Sequence, residues 1–315
     1  MIRQKFPAGD FFIAGLIYDP KLDLLEVVTG QTYTHVHWSV GLSKHKNRAV
    51  KNSRQRSMTT FDIENSVFHS CRVDDTVVLK YKENAFSLLL DLAAREEYLK
   101  LLEATDETLE IQGLVVINDT AFDDEAGFQA FLELVRNVAP GSYSTGVGLH
   151  HENIIAKFRR FFGRRMLLSI TMTKPQVAGI HGDVTGEYLG FILPYDTRFA
   201  TPETRIKFRN ASWGLPVSPG LSYFLPRFIG QGKALDFIHH SKVLTAEEAL
   251  SLGLITDIVP HDQLETRCQQ EVETLSNQPA DVAVASRMLF NPDTSEFEHQ
   301  LERYYTAIEQ SAHKL

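Results

Sequence analysis

The sequence predicts an α/β protein with a β-rich unit at its front and a helical region at its back. Three observations carry that prediction. Between residues 74 and 260, short apolar runs that suit strands alternate with segments whose apolar residues recur at helical spacing. Ahead of residue 74, β-branched and aromatic residues cluster in runs parted by Asp19-Pro20 and Thr29-Gly30, pairs that favour turns. From Gln263 onward the pattern is helical to the end. The expected divisions are therefore 1–73 as a β-rich extension, 74–260 as the core, and 261–315 as a helical region.

In the extension, Phe11–Tyr18, Leu24–Val28 and Thr32–Trp38 are strand candidates, and together they suggest a small antiparallel unit. Ser43 to Arg56 carries Lys44, Lys46, Arg48, Lys51, Arg54 and Arg56 with hardly an apolar residue. That composition reads as a solvated loop, or as a docking surface for an acidic partner. In the core, Thr76–Tyr81 is a strand, Leu88–Ala104 a helix, Gly113–Asn118 a buried strand and Gly127–Val135 a second helix. Pro140–Gly148 is glycine- and serine-rich and reads as a loop. His151–Leu168 is amphipathic, with Phe158, Phe161, Phe162 and Met166 on one face and Lys157, Arg159, Arg160, Arg164 and Arg165 on the other.

The central stretch follows. Val177–Ile180 is a short apolar strand; Gly182 and Gly186 then mark a turn into a helix. The first turn of a helix leaves backbone N–H groups open, so a strand that runs into a helix start offers a place for an anion or a polarised carbonyl. Beyond it, Arg205–Phe208 is a strand and Trp213–Gly220 a turn-rich loop. Tyr223–Gly230, Lys233–His239 and Thr245–Ser251 are short helices, the last with a Thr245/Glu248 capping box and Gly253 as its stop. In the final region Phe297, Leu301, Tyr304 and Ile308 line one helical stripe, which has to be buried on the core or on a neighbouring subunit.

Composition narrows the function. With 43% hydrophobic and 23% charged residues among 315, disorder throughout is excluded. A formal charge of −8 argues against nucleic acid as the main partner. Two cysteines, Cys71 and Cys268, supply neither a disulfide framework nor a metal spacing. The histidine pairs His150-His151 and His239-His240, and His35-x-His37, lack the spacing of a metal site. No apolar run reaches membrane-spanning length, and the first ten residues lack the apolar core of a signal peptide, so a cytoplasmic protein without membrane contact is expected.

Four segments stand in order along the chain: Lys174-Pro-Gln-Val-Ala-Gly-Ile-His-Gly182, Asp196-Thr-Arg-Phe-Ala200, Leu225-Pro-Arg-Phe-Ile-Gly-Gln-Gly-Lys-Ala234, and the run from Leu244 to Pro260. Together they resemble the crotonase superfamily, the enoyl-CoA hydratase/isomerase fold. The resemblance spans roughly residues 74–312. It implies a spiral of ββα units with a C-terminal helical trimerisation region, assembled as a homotrimer or hexamer. It also implies a substrate that is an acyl-CoA or acyl-carrier-protein thioester, and no cofactor beyond the coenzyme A of that substrate. The β-rich extension is an addition to this common core.

In that family two backbone N–H groups stabilise the enolate formed at a thioester carbonyl. Carried over by alignment, one donor falls at Glu187 and the other at Ala126. The latter is in a loop crowded by Asp123, Asp124 and Glu125. Ala85, Phe86, Gly186, Tyr188, Pro219 and Gly220 fall at substrate-binding positions. The two glutamates of the hydratases align with Gly190 and Asn210, neither of which can be a general acid or base, so ordinary hydration is not expected. Three residues are left as candidates for the chemistry: Glu187 as an acid/base, Ser218 in a loop where other members place a carboxylate, and Asn210. Ser218 alternatively caps the helix expected near Ser222. His181 and Asp183 read as strand-end packing. Two functions follow: an enzyme with non-standard catalytic groups, a lyase or isomerase, or a catalytically silent protein that binds thioesters or serves assembly.

Overall fold

A computed structural model describes residues 13–19, 24–29, 61–82, 88, 91–118, 151–210, 216–290 and 293–312. The expected strand at 32–38, the basic segment 43–56, the helix at 127–135 and the loop at 140–148 lie outside these residues. The chain divides into two compact units, Met1–Arg56 and Ser57–Leu315. In the first, β1 (Ile13–Asp19) and β2 (Leu24–Thr29) form an antiparallel hairpin with a register shift between Ile13 and Gly15.

The second unit is built on a seven-stranded sheet. Its strands are β3 (Ile63–Glu64), β4 (Phe68–Val73), β5 (Thr76–Tyr81), β6 (Gly113–Asn118), β7 (Gln176–Ile180), β9 (Thr197–Ala200) and β12 (Asp257–Ile258), in the order β12-β9-β7-β6-β5-β4-β3. Pairing is parallel from β5 to β12 and antiparallel from β3 to β5. The sheet thus begins ahead of residue 74, because Phe68–Val73 pairs along its whole length with Thr76–Tyr81. A smaller sheet joins β8 (Asp183–Thr185), β10 (Arg205–Lys207) and β11 (Val243–Thr245) in the order β11-β10-β8. All six residues of β6 and all five of β7 are buried, as expected of central parallel strands covered on both faces.

Helices cover the sheet. They are α1 (Leu92–Glu107), α2 (His151–Thr171), α3 (Gly186–Ile192), α4 (Pro219–Ile229), α5 (Gln231–His239), α6 (Ala246–Ser251), α7 (Leu264–Ser276), α8 (Ala280–Phe290) and α9 (Thr294–Ala312). The helix expected over Leu88–Ala104 runs from Leu92 to Glu107, since Asp91 accepts the Ala94 N–H at 3.0 Å as its cap. The Thr245/Glu248 capping box is present, and Gly253 follows α6 at φ 70°.

The motifs behind the resemblance are largely structural. Lys174 Nζ donates to Thr105 O at 2.8 Å and to Thr108 O, closing carbonyls at the end of α1. Asp196 accepts from Gln176 N at 2.8 Å and pairs with Arg287 Nε at 2.7 Å. Arg198, 5% exposed, donates to the carbonyls of Leu254 (2.7 Å), Tyr195 (2.7 Å) and Leu193 (3.2 Å). It ties the end of α3 to the turn after α6.

One side chain departs from its expected face. Arg165 falls on the polar side of α2 by sequence pattern, yet it is 2% exposed. Its guanidinium lies 3.7 Å from the Phe191 ring centroid and 5.0 Å from that of Tyr98, and it donates to Tyr81 Oη at 3.1 Å. No carboxylate pairs with it among the described residues. Aromatic faces and a phenol therefore hold the cation in the interior.

Two glycines set how closely α3 and α4 cross. A Cβ on Gly190 would lie 2.5 Å from Leu221 N, and one on Gly220 would lie 2.4 Å from Gly190 O. Backbone meets backbone there, so neither neighbour can rotate away. Gly190→Ala is expected to cost at least about 1–3 kcal/mol through overpacking. Thermal unfolding checks this, with a fall of about 2–4 °C per kcal/mol; an unchanged midpoint would show that the crossing is looser than described.

Candidate active site

The central strand delivers a helix start. β8 ends at Thr185, which is extended (φ −80°, ψ 154°) and whose hydroxyl accepts the Tyr188 N–H at 3.2 Å. That cap takes one of the open donors of the first turn of α3. The Glu187 N–H has no hydrogen-bond partner among the described residues. Gly186 is needed for close packing: a Cβ there would meet Phe208 Cδ1 at 2.8 Å.

Successive residues of this turn point to different surroundings. Tyr188 is 1% exposed and packs edge-on against Tyr81, with centroids 6.0 Å apart at 90°, so its ring belongs to the aromatic core. Burial, partly offset by Arg165, raises its hydroxyl above the ordinary phenol range. Glu187 is half-buried and turns the other way, to Asn210 and Ser218. The Asn210 side-chain amide, on a residue 3% exposed, donates to Glu187 Oε1, and the Ser218 backbone N–H donates to the same oxygen at 3.3 Å.

Ser218 is held in turn by its position in the chain. It is the N-cap of α4, accepting the Leu221 N–H at 3.4 Å, with Pro219 in the first turn. The helix expected near Ser222 therefore begins at Pro219, and the capping role expected for Ser218 is present. Pro219 and Gly220 are both buried, Gly220 in the crossing with Gly190.

Electrostatically the cluster holds one carboxyl against neutral donors. Desolvation is the largest influence on Glu187 and raises it above the ordinary carboxylate value; hydrogen bonds from Ser218 and Asn210 pull in the opposite direction without cancelling it. Such a group is moved toward the range where proton transfer at neutral pH is efficient. Glu187, Asn210 and Ser218, the three expected chemical candidates, are thus brought together. Position 190, by contrast, has no room for a carboxylate.

His181 and Asp183 are engaged elsewhere. His181 Nδ1 is 2.9 Å from Thr201 Oγ1 and its ring stacks on His261 at 3.8 Å, while Asp183 pairs with Lys207 at 2.8 Å. Ala126, Ala85, Phe86, Asp123, Asp124, Glu125, His35, His37 and His150 lie outside the described residues, as does the side chain of His151. No group of three or more metal-ligating side chains gathers among the described residues. Tyr304, part of an apolar helical stripe, has its hydroxyl raised first by burial and then by the Glu187 carboxylate. Periodicity marks such a residue for packing and says nothing about what its hydroxyl faces.

Comparison with known proteins agrees with this architecture. A family model described as enoyl-CoA hydratase/isomerase matches residues 150–314. A probable enoyl-CoA hydratase of Mycobacterium tuberculosis, EchA12, is 30% identical over 141 residues, which cover 42% of this chain and 50% of that protein. Its Mycobacterium bovis counterpart is 30% identical over 131 residues, covering 40% and 46%. The chain spans about half the length of the curated relatives it matches. Among solved structures, an enoyl-CoA hydratase from Bacillus halodurans superimposes with a TM-score of 0.64 at 21% identity, covering 78% of this chain and 95% of that one. A putative enoyl-CoA hydratase/isomerase from Acinetobacter baumannii gives 0.61 at 18%, covering 79% and 95%. The fold of the larger unit is crotonase-like, and with the family model matched over more than half its length, the chain belongs to the enoyl-CoA hydratase/isomerase family.

Proposed function

We propose that the chain is an enzyme that acts on an acyl thioester of coenzyme A, or of a carrier protein, by forming and stabilising an enolate. Glu187 carries the chemistry twice. Its carboxylate takes the α-proton of the acyl group, and its backbone N–H, with that of Ala126 as second donor, receives the charge that develops on the thioester oxygen. The electron pair of the broken C–H bond becomes the enolate double bond, and return of the proton to a carbon completes an isomerisation or an exchange. Asn210 and Ser218 orient the carboxyl.

The observation that supports this most is the half-buried Glu187 carboxyl, raised by desolvation and held by two neutral donors beside an open first-turn N–H. Ordinary hydration is disfavoured because the close crossing of Gly190 with Leu221 keeps a second carboxylate out. A homotrimer or hexamer is the proposed assembly, with the exposed Leu289 (85%) and Phe290 (91%) at the end of α8 as apolar surface for it to cover. The proposed setting is the cytoplasm. No described helix is long and apolar enough to cross a membrane, and Cys71 and Cys268 are free thiols.

The test is exchange of the α-protons of saturated acyl-CoAs in deuterated water, followed by NMR or mass spectrometry. Deuterium incorporation above the uncatalysed rate is expected. Binding of several acyl-CoAs without any exchange would replace this reading with that of a catalytically silent thioester-binding protein.

A further inference from the structure

The interior of the larger unit holds a cation whose counter-charge is missing among the described residues. Arg165 is 2% exposed and pairs with no described carboxylate, while its neighbour Arg164 goes to Glu103. A charge taken out of water is costly unless it is matched and its hydrogen-bonding edges are filled. One edge of this guanidinium is filled, since Nη2 donates to Tyr81 Oη at 3.1 Å. Nε has no partner among the described residues. Tyr81 does not supply the missing charge as a phenolate: burial, partly offset by Arg165, raises its hydroxyl well above the ordinary phenol range.

Further unpartnered groups stand around the same guanidinium. Tyr98 is fully buried, its ring centroid 5.0 Å from the guanidinium carbon and 6.2 Å from that of Tyr81, the two rings stacked at 24°. Its hydroxyl has no partner among the described residues. Ser169, one turn beyond Arg165 on the same face of α2, is 1% exposed, and its hydroxyl is likewise unpartnered. Arg95, on the same face of α1 as Tyr98, lies 5.7 Å from the Phe161 ring, which meets Tyr98 edge-on at 6.4 Å. Asp91 and Glu96 act on Arg95, so the charge left to be matched is that of Arg165. A guanidinium N–H can only donate and a hydroxyl can donate, so the open positions of this cluster suit an acceptor that carries charge.

We propose that this cluster is a binding site for a monovalent anion of halide size, held by Arg165 Nε and the Tyr98 hydroxyl with Ser169 beside them. One positive charge calls for one negative charge. Close packing calls for a small ion: the Phe191 ring already covers a face of the guanidinium at 3.7 Å, which leaves the edge where the N–H groups point. Phe191 belongs to α3, and Tyr188 of the same helix packs on Tyr81. The anion therefore braces α3 from the side away from Glu187, and the proposal stands whether or not Glu187 is a base.

Thermal unfolding of the full-length protein tests this, because unfolding opens the cage and lets the ion equilibrate. At fixed ionic strength, replacing sodium gluconate with sodium chloride is expected to raise the midpoint, by about 3–5 °C for each tenfold of chloride above the dissociation constant. Tyr98→Phe keeps the ring and removes a donor, and is expected to need about tenfold more chloride for the same rise. Wild-type crystals grown in sodium bromide are expected to show anomalous scattering at the bromine edge beside Arg165 Nε and Tyr98 Oη. Density there without an anomalous signal, a water filling the donors, would overturn the proposal. So would a midpoint that ignores chloride, an equal response in the wild type and in Tyr98→Phe, or bromide found on the protein surface alone.

Discussion

Glu187→Gln is expected to lower α-proton exchange by about 10²–10⁴-fold, the usual range for removal of a general base. The amide is close to the carboxyl in shape, and its oxygen can still accept from Asn210 and from Ser218 N, the two donors that now meet at Oε1. Acyl-CoA affinity is therefore expected to change little while the rate falls, which separates loss of a base from loss of the pocket. Stability should move the opposite way. The folded-state value of this carboxyl is raised, so between the ordinary carboxylate value and the raised one the folded state binds more protons than the unfolded state. Stability consequently falls as pH rises through that window, and above it the ionised, desolvated group is a standing cost. The glutamine variant carries no such charge. Its unfolding midpoint is expected to exceed that of the wild type at neutral pH, with the gap closing as pH is lowered below the ordinary carboxylate range. Equal midpoints at all pH values would mean that the carboxyl is not desolvated. A residue that lowers stability while enabling chemistry is the familiar signature of an active site.

Arg198→Met is expected to be the most destabilising single change away from the site, at about 3–5 kcal/mol. Burial pushes this guanidinium down to about 10, partly offset by Asp196, so the group remains a cation at neutral pH. It holds three buried carbonyls, those of Leu254, Leu193 and Tyr195, and lies 5.1 Å from the Phe228 ring centroid. Methionine fills similar volume and donates nothing, so those oxygens lose their partner at roughly 1–3 kcal/mol for each that water cannot reach. Arg198→Lys is expected to fall between the two, since an ammonium cannot span the fork of acceptors that a guanidinium does. Chemical denaturation measures both. A loss below about 1 kcal/mol for the methionine variant would mean that water replaces the guanidinium, contrary to its burial.

What the sequence made legible follows from how far each signal reaches along the chain. Local devices were readable: the Thr245/Glu248 box lies within four residues, and the stop at Gly253 follows directly. β6 carries the apolar run Leu114–Ile117, and it forms over the very residues expected, Gly113–Asn118. Glu187, Asn210 and Ser218 were each named through the resemblance. That they share one carboxyl oxygen was not readable, because 23 and 31 residues separate the partners and no periodicity spans such gaps. Arg165 was misplaced for a related reason. In a helix with five basic residues nothing local distinguishes the one that enters an aromatic cage, and only the tertiary approach of Tyr81, Tyr98 and Phe191 decides it.

A structure of the protein with an unreactive acyl-CoA analogue tests the central claim most directly. The account predicts the thioester oxygen within about 3 Å of the Glu187 N–H and the acyl α-carbon about 3–3.5 Å from the Glu187 carboxylate. An acyl group bound with its α-carbon out of reach of that carboxylate, or its carbonyl turned away from the first turn of α3, would contradict it.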